Sequence, residues 1–182
     1  MFSKELNLIK TPAIRNLVEN CLDAVPEYFW TMPASTTGKY HPAYTLGEGG
    51  LVRHTKAAVW IANELLKLDM FKRIAQMSDE IYAALILHDT IKKGMDGSAY
   101  TTIDHPLKTS EFVQQIADKL CFSDYAPVRT IRNLIETHMG QWTTDYDGNE
   151  VFPRPKSSEQ SFVHLCDYLA SRKFITVELD NV

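Results

Sequence analysis

The sequence predicts an all-α fold, on three observations. Apolar residues recur at spacings of three and four through most of the chain, the period of a helix with one buried face. Two of these runs open on Ser with acidic residues close behind, and a third on His105-Pro106, all of which suit a first helical turn. Strand-like alternation is weak and confined to the stretch from Phe174 to Leu179. A chain of 182 residues is the size of one domain and can bury a core without disulfide staples, so a single domain over 1–182 is expected.

Taken in order, Leu6, Ile9, Ile14, Leu17 and Leu22 mark one or two helices between Glu5 and Leu22, with Pro12 able to interrupt or restart them. Tyr28-Phe29-Trp30 leads into the turn-rich connector Pro33–Gly38, and His41-Pro42 follows in loop. Gly47-Glu48-Gly49-Gly50 turns the chain sharply. Leu51, Ala58, Ile61, Ala62 and Leu65 then carry a helix to about Leu68, with His54 in its first turn. Ser78-Asp79-Glu80 starts the next helix, which runs from about Asp79 to His88-Asp89. Gly94, Gly97 and Ser98 describe a loop that carries Lys92 and Lys93 and ends near Asp104. The helix begun by His105-Pro106 buries Leu107, Phe112, Val113, Ile116 and Leu120, and Ser123-Asp124 separates it from a helix over about Pro127–Met139 with His138 in its last turn. Gly140-Gln141-Trp142 opens a polar loop through Asp147-Gly148-Asn149 and Pro153-Arg154-Pro155. Ser157-Ser158-Glu159 starts a final helix carrying Phe162, Leu165, Cys166 and Leu169 past Asp167 to Arg172, and the tail adds a short strand or a cover for the core.

Composition narrows the function classes. A formal net charge of -4 offers no global field for nucleic acid or anionic lipid. The longest apolar runs fall far short of the roughly 20 residues of a membrane helix. The start Met1-Phe2-Ser3-Lys4-Glu5 has no signal-peptide apolar core, so a cytoplasmic protein is expected. Three cysteines without Cys-x-x-Cys spacing read as reduced thiols.

The chemistry concentrates at Leu85-Ile86-Leu87-His88-Asp89, an apolar helix that ends in an imidazole and a carboxylate. A buried charge needs a partner or a metal. His54, His105, His138 and Asp167 likewise lie on or beside predicted helices, and Lys92 follows Asp89 by three. In this order the set His…His-Asp…His…His…Asp resembles the HD superfamily of metal-dependent phosphohydrolases, over about Gly49 to Arg172. The stretch Gly49-Gly50-Leu51-Val52-Arg53-His54-Thr55 is similar to the opening of some bacterial HD modules, including those of 3′-to-5′ exoribonucleases.

The resemblance implies a compact bundle of about six or seven helices that uses metal-activated water to cleave a phosphomonoester or phosphodiester. By the same resemblance, His54, His88, Asp89 and Asp167 form a first metal site, His105 and His138 complete a second, and Asp89 bridges two divalent ions (Mn, Fe, Mg, Ni, Co or Zn). His88, Asp89 and Lys92 become the catalytic group, with Lys92 and Arg172 facing phosphate oxygens and Gln141 and Trp142 forming a pocket wall. A lone histidine near a helix end is more often a cap or a core residue than a ligand. His164, three residues before Asp167, is read mainly as packing, and His41 as loop. A solvated lysine and a structural arginine ion pair are the plain readings of Lys92 and Arg172. The substrate class is a nucleotide or other small phosphate ester. A di-iron oxygenase built on the same ligand set is the alternative enzyme class. A single-strand nuclease is a third reading, disfavoured by the acidic charge. A non-catalytic module is a fourth, disfavoured because no ligand of the pattern is missing.

Overall fold

The computed structural model describes residues 1–35, 37–122 and 125–175. Its α-helices are α1 (Ser3–Leu6), α2 (Pro12–Ala24), α3 (Tyr28–Thr31), α4 (Gly50–Leu65), α5 (Ser78–Leu87), α6 (His105–Lys119), α7 (Ala126–Glu136) and α8 (Ser158–Ala170). Six of these have ten residues or more, in line with the expected bundle, and the short α1 and α3 add to them. No strand forms among the described residues, where a lone antiparallel bridge joins Thr144 to Glu150.

Helix α5 is the axis of the domain. Every residue from Ile81 to Leu87 is buried, and a helix that is apolar all round must be enclosed by others. It packs against α2, α4, α7 and α8, while α6 lies along α7 and α4 along α8. One continuous core extends from Phe2 to Ala170 and includes the N-terminal segment. There the buried Glu5 carboxylate accepts the Trp60 indole N–H at 2.9 Å and pairs with Lys56 at 3.4 Å. Such a charge is tolerable in the interior only because both partners reach it.

Several element ends differ from the sequence reading, each for a local reason. Ser78 caps nothing, because a 3₁₀ turn over Ile74–Met77 runs directly into α5. Asp79 instead accepts the backbone N–H groups of Lys10 and Thr11, at 3.0 and 2.7 Å, and ties the chain ahead of α2 to the start of α5. Helix α4 stops at Leu65 rather than Leu68, and His54 lies in its second turn, since the helix begins at Gly50. Helix α7 stops at Glu136, where the Thr137 hydroxyl bonds back to the Asn133 carbonyl at 3.0 Å, so His138 stands just beyond the helix. His88 and Asp89 likewise follow the last residue of α5. The start of α8 was legible: Ser157 and Gln160 form a reciprocal capping box. At the tail, Lys173–Ile175 is a 3₁₀ turn and Phe174 is 83% exposed, so these residues form neither strand nor core cover. The rest of the tail, like Ser123-Asp124, lies outside the described residues.

The Gly-Gly pair ahead of α4 has two separate causes. Gly49 adopts φ +68°, which side chains with a Cβ resist. At Gly50 a Cβ would stand 2.0 Å from the Thr45 carbonyl oxygen, so only a glycine lets the preceding loop lie across the helix start. That loop continues to the far side of the site, where the Lys173 N–H donates to the Tyr40 carbonyl at 2.8 Å.

Candidate metal centre

The C-terminal ends of α5 and α7 do more than stop. The last carbonyls of a helix have no partner within it. Leu85 O, at the end of α5, accepts Nδ1 of His88 at 2.7 Å, and Ile135 O, at the end of α7, accepts Nδ1 of His138 at 2.7 Å. His105, at the start of α6, gives its Nδ1 to Thr102 O at 2.9 Å. A carbonyl can only accept, so Nδ1 carries the hydrogen and each neutral ring turns the Nε2 lone pair inward. Three histidines from different elements are thereby oriented by one device, a carbonyl three residues back.

Their Nε2 atoms surround the Asp89 carboxylate. Oδ1 lies 3.2 Å from His105 Nε2 and 3.7 Å from His138 Nε2. Oδ2 lies 3.5 Å from His88 Nε2, 4.0 Å from His54 Nε2 and 2.6 Å from Lys92 Nζ. Asp167 Oδ1 closes the other side, 2.9 Å from His54 Nε2 and 3.5 Å from His88 Nε2. His54 and Asp167, from α4 and α8, thus meet directly. The four histidines and Asp89 are buried, and Asp167 is 16% exposed.

This arrangement is short of positive charge. Nε2 of His105 faces Nε2 of His138 at 3.2 Å, which sets lone pair against lone pair in the neutral state. His88 Nε2 and Asp89 Oδ1 are buried without a hydrogen-bond partner. Converging acceptors of this kind fit a cation, and imidazole with carboxylate is a donor set for divalent transition metals. The donor atoms of His54, His88 and Asp167 lie within 4.8 Å of one another, as do those of His88, Asp89 and His138. The residues present therefore fit a metal.

The protonation preferences follow the same geometry. Burial pushes the Asp89 carboxyl up, but the charges of Lys92 and His88 and the His105 imidazole outweigh it and hold Asp89 well below the usual carboxylate range. Burial acts likewise on Asp167, and the adjacent His54 and His88 imidazoles override it in the same direction. For His88, burial favours the neutral ring, yet Asp89 and Asp167 together raise its pKa. His138 goes the other way, lowered to about 3 by burial and by the neighbouring His88 and His105.

A cavity of about 150 Å³ opens onto this cluster, with His41, Lys92, Trp142, His164, Tyr168 and Arg172 among its walls. His41 arrives from the loop before α4 and sets its ring 5.9 Å from that of His54, so it is a wall residue. Burial and the nearby His54 and Lys92 lower its pKa to about 4. His164 also faces the cavity, where its Nδ1 donates to the His138 carbonyl at 2.8 Å. Gly140, at φ +65°, makes that possible, because a Cβ there would stand 2.3 Å from the His164 ring. Lys92 is committed to Asp89 rather than solvated. Arg172 makes no ion pair among the described residues and instead lies over the Tyr168 ring at 4.2 Å. Trp142 is in the wall, whereas Gln141 is exposed and lines a shallow depression alongside. Tyr168 was missed by the sequence reading. Its signal was the spacing of His164 and Tyr168, which puts both on one face of α8, with Arg172 just past the helix end.

Residues 51–172 match the family model of the HD domain. The chain belongs to the HD domain family. HD domains form a superfamily of metal-dependent hydrolases, and the clustered His and Asp side chains of this one could hold a metal. No curated protein gives a significant match to the chain, and neither does any solved structure. No helix among the described residues is long and apolar enough to cross a membrane.

Proposed function

We propose that this HD domain is a binuclear phosphohydrolase that cleaves a small phosphate ester, with nucleotides the leading candidates. The observation that carries the reading is the division of Asp89, whose Oδ2 faces His54 and His88 while Oδ1 faces His105 and His138. A carboxylate presented to two groups of imidazoles is placed to bridge two cations. His54, His88 and Asp167 would hold the first beside Asp89, and His105 and His138 the second. Two divalent ions there would lower the pKa of a water and offset charge gathering on phosphoryl oxygens.

The protein's own groups supply the rest. The water oxygen would bond to phosphorus as the ester P–O bond breaks, and the proton that the water gives up would pass to the departing alkoxide. Lys92 Nζ, at the cavity wall, can turn from Asp89 towards a non-bridging oxygen. Arg172 lies over the Tyr168 ring, and its Nε has no hydrogen-bond partner, so the guanidinium can offer N–H groups to phosphate. The narrow cavity favours a small ester over a polymer, which ranks a single-strand nuclease below this reading.

The test is metal analysis of protein purified without chelators, then a phosphate-release screen over nucleotides, phosphomonoesters and phosphodiesters with Mn, Fe, Mg, Ni, Co and Zn. Two bound metals per chain and metal-dependent release are expected. Oxygen uptake by iron-loaded protein with no phosphate release from any ester would replace this reading with the di-iron oxygenase.

A further inference from the structure

The mouth of the cavity carries more aromatic surface than packing requires. Trp142, in the cavity wall, is 44% exposed, and Tyr40, 49% exposed, meets that wall through Arg172. Exposed aromatic surface grouped at a polar cavity marks a place where something flat is received.

The rings are not equally free. Tyr40 has Lys39 over it at 5.0 Å and Arg172 at 5.4 Å, and Tyr168 has Arg172 at 4.2 Å. Trp142 lies nearly parallel to Tyr168, at 8° with centroids 5.8 Å apart, and the His164 ring meets it at 63°. These two neighbours, both on α8, hold the indole in a fixed plane. Arg172 reaches the indole less closely than it reaches Tyr168, and Trp142, 44% exposed, keeps π-surface open at the cavity. It belongs to the same cavity as Asp89, Lys92 and Asp167.

We infer that Trp142 is a specificity-determining residue whose exposed π-surface stacks on a planar aromatic or heteroaromatic ring in the leaving group of the substrate. The inference rests on the phosphohydrolase reading and narrows its substrates to esters that carry a flat ring a few bonds from phosphorus. Tyr168 and His164 act as positioning residues, since they hold the indole. Arg172 stands 5.6 Å from the Trp142 ring, so the ring subsite and a phosphate-facing guanidinium lie side by side.

The experiment compares Trp142→Phe and Trp142→Leu with the unaltered protein. Leu keeps apolar bulk without a π-face, and Phe keeps the face. With metal-loaded protein, kcat/KM is measured for a ring-bearing and an alkyl phosphate ester, adenosine 5′-monophosphate and glycerol 3-phosphate. Without metal, binding of adenosine and of ribose is followed calorimetrically. The ring-bearing ester should be preferred, and the preference should fall roughly tenfold or more in the Leu variant, through KM, and largely survive in Phe. Tyr146→Ala, an alteration of a fully exposed ring outside the cavity, should leave the preference as it was. Adenosine should bind metal-free protein, and the Leu variant should lose that binding. An equal preference in the Leu variant and the unaltered protein overturns the inference, as does adenosine binding that Leu does not weaken. Turnover of neither ester, together with no phosphate release across the wider screen, defeats the hydrolase reading instead, and the adenosine titration still decides the role of Trp142.

Discussion

Asp89 sits where two groups of imidazoles need the same negative charge, so its loss should not be local. In Asp89→Ala each group loses an anionic ligand, and metal content should fall at both sites with hydrolysis abolished. His105→Ala or His138→Ala leaves His54, His88, Asp89 and Asp167 together, and chiefly the second metal should be lost. Metal stoichiometry of the three variants, read alongside phosphate release, separates the cases. Full metal content with near-normal turnover in Asp89→Ala would contradict the bridging role. Lys92 offers a contrast. Its ammonium occupies Asp89 Oδ2 at 2.6 Å, where it competes with a metal for that oxygen. Lys92→Ala should therefore bind metal at least as tightly as the unaltered protein, yet turn over about 10²-fold more slowly for want of a charge facing the phosphoryl group. Weaker metal binding in Lys92→Ala would show instead that the lysine supports the carboxylate.

Helix α5 delivers His88 and Asp89 only because everything around it is packed. Leu85 is wholly buried in the turn that also supplies the carbonyl for His88, so Leu85→Ala should cost about 2–5 kcal/mol of unfolding free energy. Chemical denaturation measures it, and a loss under about 1 kcal/mol would show that the helix can collapse into the space. Gly50→Ala acts on the next element, for its Cβ would press on the Thr45 backbone and push the loop bearing His41 away from α4. A lowered Tm with intact far-UV helicity is expected, and an unchanged Tm would show that the loop yields freely. The six long helices were legible because each is a sustained apolar stripe, and α5 because it is apolar throughout. Their ends were not. Ser78 looks like a cap, but the turn before it is already helical, and Asp79 is claimed by backbone N–H groups 68 and 69 residues away. Nothing local in the sequence announces such a partner.

Across the whole molecule, the six metal-ligand candidates could be read from residue type and order, and the fold gathers the four histidines around the carboxylates of Asp89 and Asp167. The orienting carbonyls of Leu85, Thr102 and Ile135 were not legible, since a backbone oxygen has no sequence identity. The aromatic wall was only half visible, because Tyr40 joins Trp142 and Tyr168 through a loop contact far along the chain. The cluster couples stability to pH, and the sign follows group by group. An unfolded imidazole takes a proton near pH 6.5, but folded His138 resists down to about 3 and His41 to about 4. Below about pH 6.5 these two make the unfolded chain bind more protons, so stability falls with acid. His88, with its raised pKa, opposes them: its contribution is complete below about pH 6.5 and is lost as pH rises through its folded value. Asp89 and Asp167 contribute above about pH 4, and that contribution is lost as pH falls through their lowered values. Two histidines against one should make the Tm of chelator-treated protein fall from pH 7 to pH 4, and the two carboxylates should extend that fall below pH 4. Metal should raise the Tm at pH 7, by about 2.7 kcal/mol of stability at a hundredfold excess over Kd. That gain should shrink towards pH 5, because protons compete for the same imidazole lone pairs. Thermal unfolding at each pH, with chelator and with metal, reads both effects. A metal-induced gain that persists undiminished at pH 5 would mean that the ion is held by groups other than these histidines.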